Sequence, residues 1–102
     1  GDLSGGQQQM VAIGRGMMAE PKLLILDEPS IGLSPIMTQK VFEAVTEIHQ
    51  KGTAVLIAEQ NIADVLEIAD RAYVMEQGMI RLKGTAREMR ESEEIKTMYL
   101  GL

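Results

Sequence analysis

The segment Leu-Leu-Ile-Leu-Asp-Glu-Pro-Ser (residues 23–30) places four consecutive apolar residues directly before two carboxylates and a proline. A short continuous apolar run with turn residues at its ends is typical of a strand that is buried on both faces of a parallel sheet. In α/β sheets, ligands bind at the carboxyl ends of such strands. The segment therefore predicts an α/β fold with Asp27 and Glu28 at its ligand-binding edge.

Helices and strands alternate on both sides of this segment. Upstream, apolar residues recur at helical spacing and predict one inward stripe, formed by Met10, Ile13, Gly14 and Met17. Downstream, Ser34 and Pro35 predict the N-cap and first residue of a helix that stops at Gly52. A buried strand is expected over residues 53–58 and a third helix over about residues 62–69. This alternation predicts parallel strands joined by right-handed crossovers.

The pattern changes after residue 70. Two short strands, residues 72–76 and 79–82, flank Gln77-Gly78 and predict an antiparallel hairpin at the edge of the sheet. A charged helical tail is expected over residues 87–96, with Met89, Ile95 and residues 98–100 packing inward. The sequence contains no repeat and no low-complexity linker, so we expect residues 1–102 to belong to one domain.

Composition excludes several classes of function. The net charge of −5 leaves no basic surface, so no nucleic-acid partner is expected. The absence of cysteine and the single histidine exclude disulfides, thiolate metal sites and histidine-rich metal sites. The longest apolar runs fall far below the roughly 20 residues that span a bilayer. Any membrane role is therefore expected to be peripheral.

The acid pair after the first strand has oxygen ligands of the kind that Mg²⁺ prefers. Because Mg²⁺ keeps several waters, Asp27 alone is sufficient to hold it beside phosphates. Glu28 points elsewhere and could orient a water that attacks a phosphorus atom or accept its proton. The same Asp-Glu-Pro sequence is also typical of a turn that merely ends a strand, and the segment alone leaves both interpretations open.

The start of the chain predicts a second ligand-binding feature. Ser4 can cap a helix, while Gly5 and Gly6 lack side chains, so that backbone N–H groups at the helix start can approach a ligand. The helix dipole adds partial positive charge, and the junction therefore favours an anion. An ordinary capped helix start has the same residues, so these three positions alone do not distinguish an anion-binding site from a simple helix cap.

Taken together, the two segments resemble the signature motif and the Walker B motif of ATP-binding cassette (ABC) ATPases. The signature match is Leu3-Ser4-Gly5-Gly6-Gln7, and the Walker B match is residues 23–30. Residues 31–34 stand where the family has its D-loop, and residues 58–61 where it has its switch loop, so the resemblance covers essentially the whole chain. Within the family, the chain is most similar to ATP-binding subunits of branched-chain amino acid importers. The resemblance implies the C-terminal part of a P-loop NTPase (RecA-like) nucleotide-binding domain.

The resemblance also implies roles for individual residues. In the family, two cassettes pair head to tail and share each ATP, so the signature residues would contact ATP bound by the partner subunit. Those residues are Leu3, Ser4, Gly5, Gly6 and Gln7. Asp27 would hold Mg²⁺, Glu28 would polarise the attacking water, and Gln60 would stand at the catalytic switch position. The D-loop residues Gly32, Leu33 and Ser34 would cross the dimer interface. The implied cofactors are ATP and Mg²⁺.

Two positions depart from the general family pattern. Ser34 stands where the D-loop usually has aspartate, and Gln60 where the switch loop usually has histidine. Glutamine can hydrogen-bond a phosphate or a water but cannot carry the imidazolium charge. The branched-chain importer subunits resemble this chain in having Glu-Gln-Asn in the switch loop.

The family's Walker A motif, Gly-x-x-x-x-Gly-Lys-Ser/Thr, does not occur in this sequence. That loop supplies the backbone cradle and the lysine of the primary phosphate site. We therefore expect the Walker A half to lie upstream of Gly1, with residues 1–102 as the C-terminal portion of one ATP-binding domain. The fragment alone is expected to be inactive as an ATPase.

The resemblance implies an importer subunit on the cytoplasmic face of the cell membrane. Its partners would be a second ATP-binding subunit, identical or different, and integral membrane permease subunits, with a periplasmic or extracellular solute-binding protein acting indirectly. Two alternatives stay open. The chain could belong to a soluble cassette ATPase that transports nothing, or it could act as a non-catalytic fragment that only pairs with another chain.

Overall fold

The computed structural model describes residues 4–99, which form two compact units, one ending at Gln60 and the other beginning at Asn61. The first unit contains α1 (Gly5–Met17), β1 (Leu23–Asp27), α2 (Pro35–Gln50) and β2 (Ala54–Ala58). The second contains α3 (Ile62–Ile68), β3 (Arg71–Glu76), β4 (Met79–Thr85), α4 (Ala86–Glu91) and α5 (Glu93–Met98). The predicted α/β class is confirmed.

The two strands of the first unit pair in parallel, as the sequence predicts. Their register runs from Leu23 opposite Ala54 to Asp27 opposite Ala58. Helix α2 connects them, which is the long crossover that a parallel pair requires. Both strands therefore end at the same edge of the sheet.

The prediction that β1 is buried on both faces is wrong for the described chain. Leu24 and Leu26 are buried, but Leu23 and Ile25 on the other face are 50% and 65% exposed. Leu56 on β2, opposite Ile25, is 58% exposed. A strand side chain is buried only where another element covers it. Helix α1 contacts the Leu24 face, since a Cβ built on Gly16 would lie 3.6 Å from Leu24 Cδ1.

The inward stripe of α1 is narrower than its periodicity predicts. Ile13 is buried and Met17 is half-buried, whereas Met10 and Gly14 are exposed. Helical spacing identifies which residues share a face, but the width of the covered stripe depends on the packing partners. Of the four residues in the predicted stripe, that cover reaches Ile13 and Met17.

Helix α2 begins and ends where its capping residues predict. The Ser34 hydroxyl accepts a hydrogen bond from the Met37 N–H at 3.2 Å, and Pro35 is the first helical residue. After Lys51, Gly52 adopts a φ of +108°, which favours glycine, and its N–H donates to the His49 carbonyl. The buried residues of this helix are Thr38, Val41, Phe42 and Val45.

The predicted hairpin forms, but as a sheet of its own. β3 and β4 pair antiparallel around Gln77 and Gly78, whose φ angles of +51° and +76° match a tight turn of type I′. Within residues 4–99 the hairpin strands pair only with each other, so the prediction that they lie at the edge of the parallel sheet is wrong. A tight turn lets neighbouring strands satisfy each other's hydrogen bonds locally, without the parallel pair.

The predicted helical tail is two short helices that close the core of the second unit. That core consists of Leu66, Ala86, Met89 and Ile95. The predicted burial of Met89 and Ile95 is confirmed, whereas Met98 is 53% exposed and Leu100 lies outside the described residues. The chain is extended at Ser92, whose hydroxyl accepts from the Ile95 N–H and caps α5.

Two ionisable groups of the second unit have shifted pKa values. The Thr85 backbone N–H donates to the Glu88 carboxylate, and a hydrogen bond from the Thr85 hydroxyl adds to it, which lowers the pKa of Glu88. The same hydroxyl accepts from the Glu88 backbone N–H, which completes a capping box. The hydrogen bond between the Tyr99 hydroxyl and the Glu76 carboxylate raises the pKa of Tyr99. Along residues 4–99, no helix is both long enough and apolar enough to cross a membrane.

Candidate functional site

The acid pair lies at the carboxyl end of β1. Asp27 is the last residue of the strand and is exposed, while Glu28 is half-buried and has a φ of +46°. Its backbone N–H donates to the Ala58 carbonyl at 2.7 Å, which extends the parallel pairing by one hydrogen bond beyond the strand. No hydrogen bond or ion pair from within residues 4–99 engages the carboxylate of Asp27 or of Glu28. Both carboxylates are therefore available to a ligand.

The segment that follows Glu28 is a compact succession of turns. Pro29 is fully buried, and the Ile31 N–H donates to the Glu28 carbonyl at 3.1 Å. The Leu33 N–H donates to the Ser30 carbonyl at 3.1 Å. Gly32 between them has a φ of +73°, a conformation that side chains disfavour. The turns lead directly into Ser34, so the D-loop candidates follow the acid pair without a break.

The end of β2 brings a second pair of residues to the same edge. Glu59 and Gln60 follow Ala58, which is opposite Asp27 in the sheet. Gln60 is exposed, while a Glu59 carboxylate oxygen accepts a hydrogen bond from the Ser30 N–H at 2.9 Å. The structure thus brings Gln60 to the edge that holds Asp27 and Glu28.

No sequence pattern points to Glu59 as a functional residue. Its partner Ser30 is 29 residues away, and no local pattern reveals a hydrogen bond over that distance. Its position directly before Gln60, the predicted switch residue, was the available signal.

The signature residues form the capped start of α1. The Ser4 hydroxyl accepts from the Gln7 N–H at 3.1 Å, and the Ser4 N–H donates to the Gln7 side-chain oxygen at 3.0 Å. This reciprocal pair confirms the predicted N-cap and uses both side chains in a capping box. The first turn contains no acidic residue. Leu3 lies outside the described residues.

The two glycines of the signature segment lie against the start of α2. Gly6 is buried, and a Cβ added there would lie 2.1 Å from Met37 Cε and 2.9 Å from its Cβ and Cγ. At Gly5, the added Cβ would lie 3.2 Å from Leu33 Cδ2. Close packing against Met37 therefore requires glycine at position 6, in addition to the approach of a ligand that the sequence predicts. The structure also brings the signature segment into contact with Leu33 of the D-loop segment.

The donor chemistry of the acid pair fits Mg²⁺. Among residues 4–99 there is no group of three or more His, Cys, Asp or Glu side chains that could hold a metal ion. Mg²⁺ commonly binds through one or two carboxylates while its other ligands are waters and substrate phosphates. The exposed Asp27 carboxylate, which no other described residue hydrogen-bonds, meets that requirement.

Comparison with known proteins agrees with this geometry. The family model described as "ABC transporter" matches residues 1–31. The high-affinity branched-chain amino acid transport ATP-binding protein BraG of Pseudomonas aeruginosa is 46% identical over 101 residues, covering 99% of this chain. The lipopolysaccharide export system ATP-binding protein LptB of Haemophilus influenzae is 36% identical over 99 residues, covering 97% of this chain.

A solved structure shares both the fold and the sequence. The crystal structure of the ADP conformation of an ATP-binding cassette of an ABC transporter superposes with a TM-score of 0.82 at 35% identity and covers 100% of this chain. This chain spans 42% of that structure, 43% of BraG and 41% of LptB. The chain therefore belongs to the ATP-binding proteins of the ABC transporter family.

Proposed function

We propose that the chain is the C-terminal portion, from the signature motif onward, of an ATP-hydrolysing subunit that powers an ABC importer of branched-chain amino acids. One observation carries the proposal. Asp27 and Glu28 end a parallel strand with carboxylates that no other residue among 4–99 engages, at the edge that also holds Gln60. An edge of this kind is where α/β folds bind phosphates and their metal ions.

The acid pair divides the chemistry between its two members. Bound at Asp27, Mg²⁺ would neutralise the negative charge of the ATP phosphates. The half-buried Glu28 would accept a hydrogen bond from the attacking water and take up its proton as the bond to phosphorus forms. Gln60 would donate its amide hydrogen to a phosphate oxygen or orient the same water through its carbonyl. Neither role requires Gln60 to change its charge.

The start of α1 would serve the second nucleotide of a cassette dimer. Its N-terminal N–H groups carry partial positive charge, and no acidic residue of the first turn opposes that charge. Ser4, Gly5, Gly6 and Gln7, together with Leu3, would contact the ATP held by the partner subunit. Gly32, Leu33 and Ser34 would follow the interface, because Leu33 contacts the signature segment at Gly5.

The assembly that we propose pairs this subunit with a second ATP-binding subunit, identical or different, beneath integral membrane permease subunits. Such a subunit would work on the cytoplasmic face of the cell membrane, and a periplasmic or extracellular solute-binding protein would deliver the solute. BraG, at 46% identity, supports an amino acid importer. LptB, at 36% identity, supports lipopolysaccharide export as the second candidate.

Removing the charge of Glu28 and measuring ATP turnover tests the proposed hydrolysis. In the full-length subunit that carries these residues, Glu28→Gln keeps the size of the side chain but removes the base. ATP turnover should fall by about 10²–10⁴-fold, the usual contribution of a general base. The matched control is Glu43→Gln on the exposed side of α2, which should leave turnover unchanged. Turnover at the wild-type rate in Glu28→Gln would remove Glu28 from its role.

The solute class needs a separate measurement. Membranes that contain the subunit and its permease should take up radiolabelled leucine in an ATP-dependent manner and should show no ATP-dependent lipopolysaccharide release. The reverse result would favour the exporter. ATP turnover without any permease that co-purifies would instead favour a soluble cassette ATPase.

A further inference from the structure

We propose that Glu59 is a positioning residue for the hydrolytic site, holding the Glu28 backbone in place through its hydrogen bond with the Ser30 N–H. The proposal rests on the proposed ATPase function. It assigns to Glu59 a role that depends on its acceptor oxygen and not on its charge.

The backbone N–H groups from Glu28 to Ser30 are tied to the end of β2. The Glu28 N–H donates to the Ala58 carbonyl at 2.7 Å, and the Ser30 N–H donates to the Glu59 carboxylate at 2.9 Å. Pro29 between them has no N–H to donate. Every backbone N–H that this tripeptide possesses is therefore bonded to consecutive residues at the end of β2.

The second of these bonds lies beyond the last paired residues of the sheet. Parallel pairing ends at Asp27 and Ala58, and the chain after β1 turns away from the sheet. The Glu59 side chain extends the connection by supplying an acceptor where no backbone carbonyl does. The bond is partly buried, so water competes with it less than at an exposed site.

The hydrogen bond between the Ser30 N–H and the Glu59 carboxylate, here called the clamp, matters because the Glu28 backbone is strained. Its φ of +46° lies in the left-handed region, which a residue with a side chain adopts only when its surroundings impose it. The clamped Ser30 on one side and the Ala58 bond on the other impose that conformation. The direction of the Glu28 carboxylate then follows from the backbone.

Glu59 also precedes Gln60 directly. One side chain therefore ties the segment that contains the proposed base to the segment that contains the switch residue. Loss of the bond would let Glu28 relax away from the water position while leaving the signature segment unchanged. The expected defect is in kcat, and the KM for ATP should stay within about twofold of the wild-type value.

Three variants of the full-length subunit separate geometry from charge. Glu59→Gln keeps an acceptor oxygen at the same position and loses the charge. Glu59→Met keeps the length of the side chain but lacks the oxygen, and Glu59→Asp keeps the charge but withdraws the oxygen by one carbon. We expect kcat to fall at least tenfold in the Met and Asp variants and to stay within about threefold of wild type in Glu59→Gln. Glu43→Met on the exposed side of α2 is the matched control.

Amide hydrogen exchange at Ser30 reports the clamp without any turnover. Exchange should be at least tenfold faster in Glu59→Met and Glu59→Asp than in wild type, and protection should be retained in Glu59→Gln. Exchange in the helix α2 interior, at Val41, checks that each variant is folded. A variant that loses protection at Val41 is replaced in the comparison by the other of the Met and Asp pair.

Each outcome bears on one proposal. Equal loss of kcat in Glu59→Gln and Glu59→Met would overturn the positioning role, because charge and not acceptor geometry would then matter. Faster Ser30 exchange with unchanged kcat would overturn it as well, while leaving the ATPase proposal intact. A wild-type subunit that does not turn over ATP would refute the proposed function, and the exchange measurement would still test the clamp.

Discussion

Replacing Gly6 by alanine should destabilise the protein, although alanine is the better helix former. Gly6 lies in the first turn of α1, where an added Cβ would be 2.1 Å from Met37 Cε and 2.9 Å from Met37 Cβ and Cγ. Cε and Cγ can move when the Met37 side chain rotates, but the contact with Cβ, which the backbone fixes, persists unless the two helices separate. The clash therefore cannot be relieved by the side chain alone.

The magnitude is a balance of two effects. Inserting a methyl group into packed structure costs about 1–3 kcal/mol of unfolding free energy. Replacing glycine by alanine within a helix returns about 1 kcal/mol. Gly6→Ala should therefore lower the free energy of unfolding by about 0–2 kcal/mol. Gly14→Ala is the matched control, since no atom lies within 4 Å of its added Cβ, and it should raise that free energy by about 1 kcal/mol.

Urea unfolding, monitored by far-UV circular dichroism, measures both variants against wild type. The decisive quantity is the difference between the two alanine variants, which should be about 1–3 kcal/mol, with Gly6→Ala the less stable. Adding Met37→Ala to Gly6→Ala removes Cγ and Cε but keeps Cβ, so it should relieve part of the clash. Equal stabilisation by the two single substitutions would refute the close approach of α1 to α2.

Two further predictions concern ionisation and association. Because the pKa of Glu88 is lowered, its hydrogen bonds stabilise the folded chain fully above the ordinary glutamate pKa, and this stabilisation is lost as pH falls through the folded pKa. Thr85→Ala should raise the Glu88 pKa only in part, because the backbone N–H of residue 85 remains. A ¹³C NMR titration that finds the Glu88 pKa unchanged would contradict the contribution of the hydroxyl. The exposed side chains of Leu23, Ile25 and Leu56 form one apolar sheet face, so the isolated 102-residue chain should self-associate. In sedimentation velocity, Ile25→Lys should raise the fraction of monomer, whereas a wild-type chain that stays monomeric at high concentration would refute this expectation.

The elements of the candidate site were predictable wherever short-range chemistry defines them. Ser4 and Ser34 act as N-caps because a hydroxyl reaches an N–H three residues away. The strand before Asp27 follows from its continuous apolar run, and the hairpin follows from Gln77-Gly78. The roles of Asp27, Glu28 and Gln60 in hydrolysis stay predictions, as do those of the signature and D-loop residues.

Burial and long-range contacts were less predictable, because they depend on which elements meet. The apolar run of β1 is equally compatible with one covered face and with two, and only the packing of other elements decides that Leu24 is buried while Ile25 is exposed. The hairpin sequence predicts a turn but does not specify the sheet to which its strands belong. The separate β3–β4 sheet therefore emerges only in three dimensions.

Whether a feature can be predicted from the sequence depends on how far apart along the chain its interacting residues lie. Caps, turns and strand ends depend on neighbours within about four residues, so the amino-acid order alone specifies them. The contact of Gly6 with Met37 and the hydrogen bond of Ser30 with Glu59 join residues that are distant along the chain. The parallel pairing of β1 and β2 and the packing of α1 on α2 bring these residues together. Only the tertiary structure therefore determines these contacts.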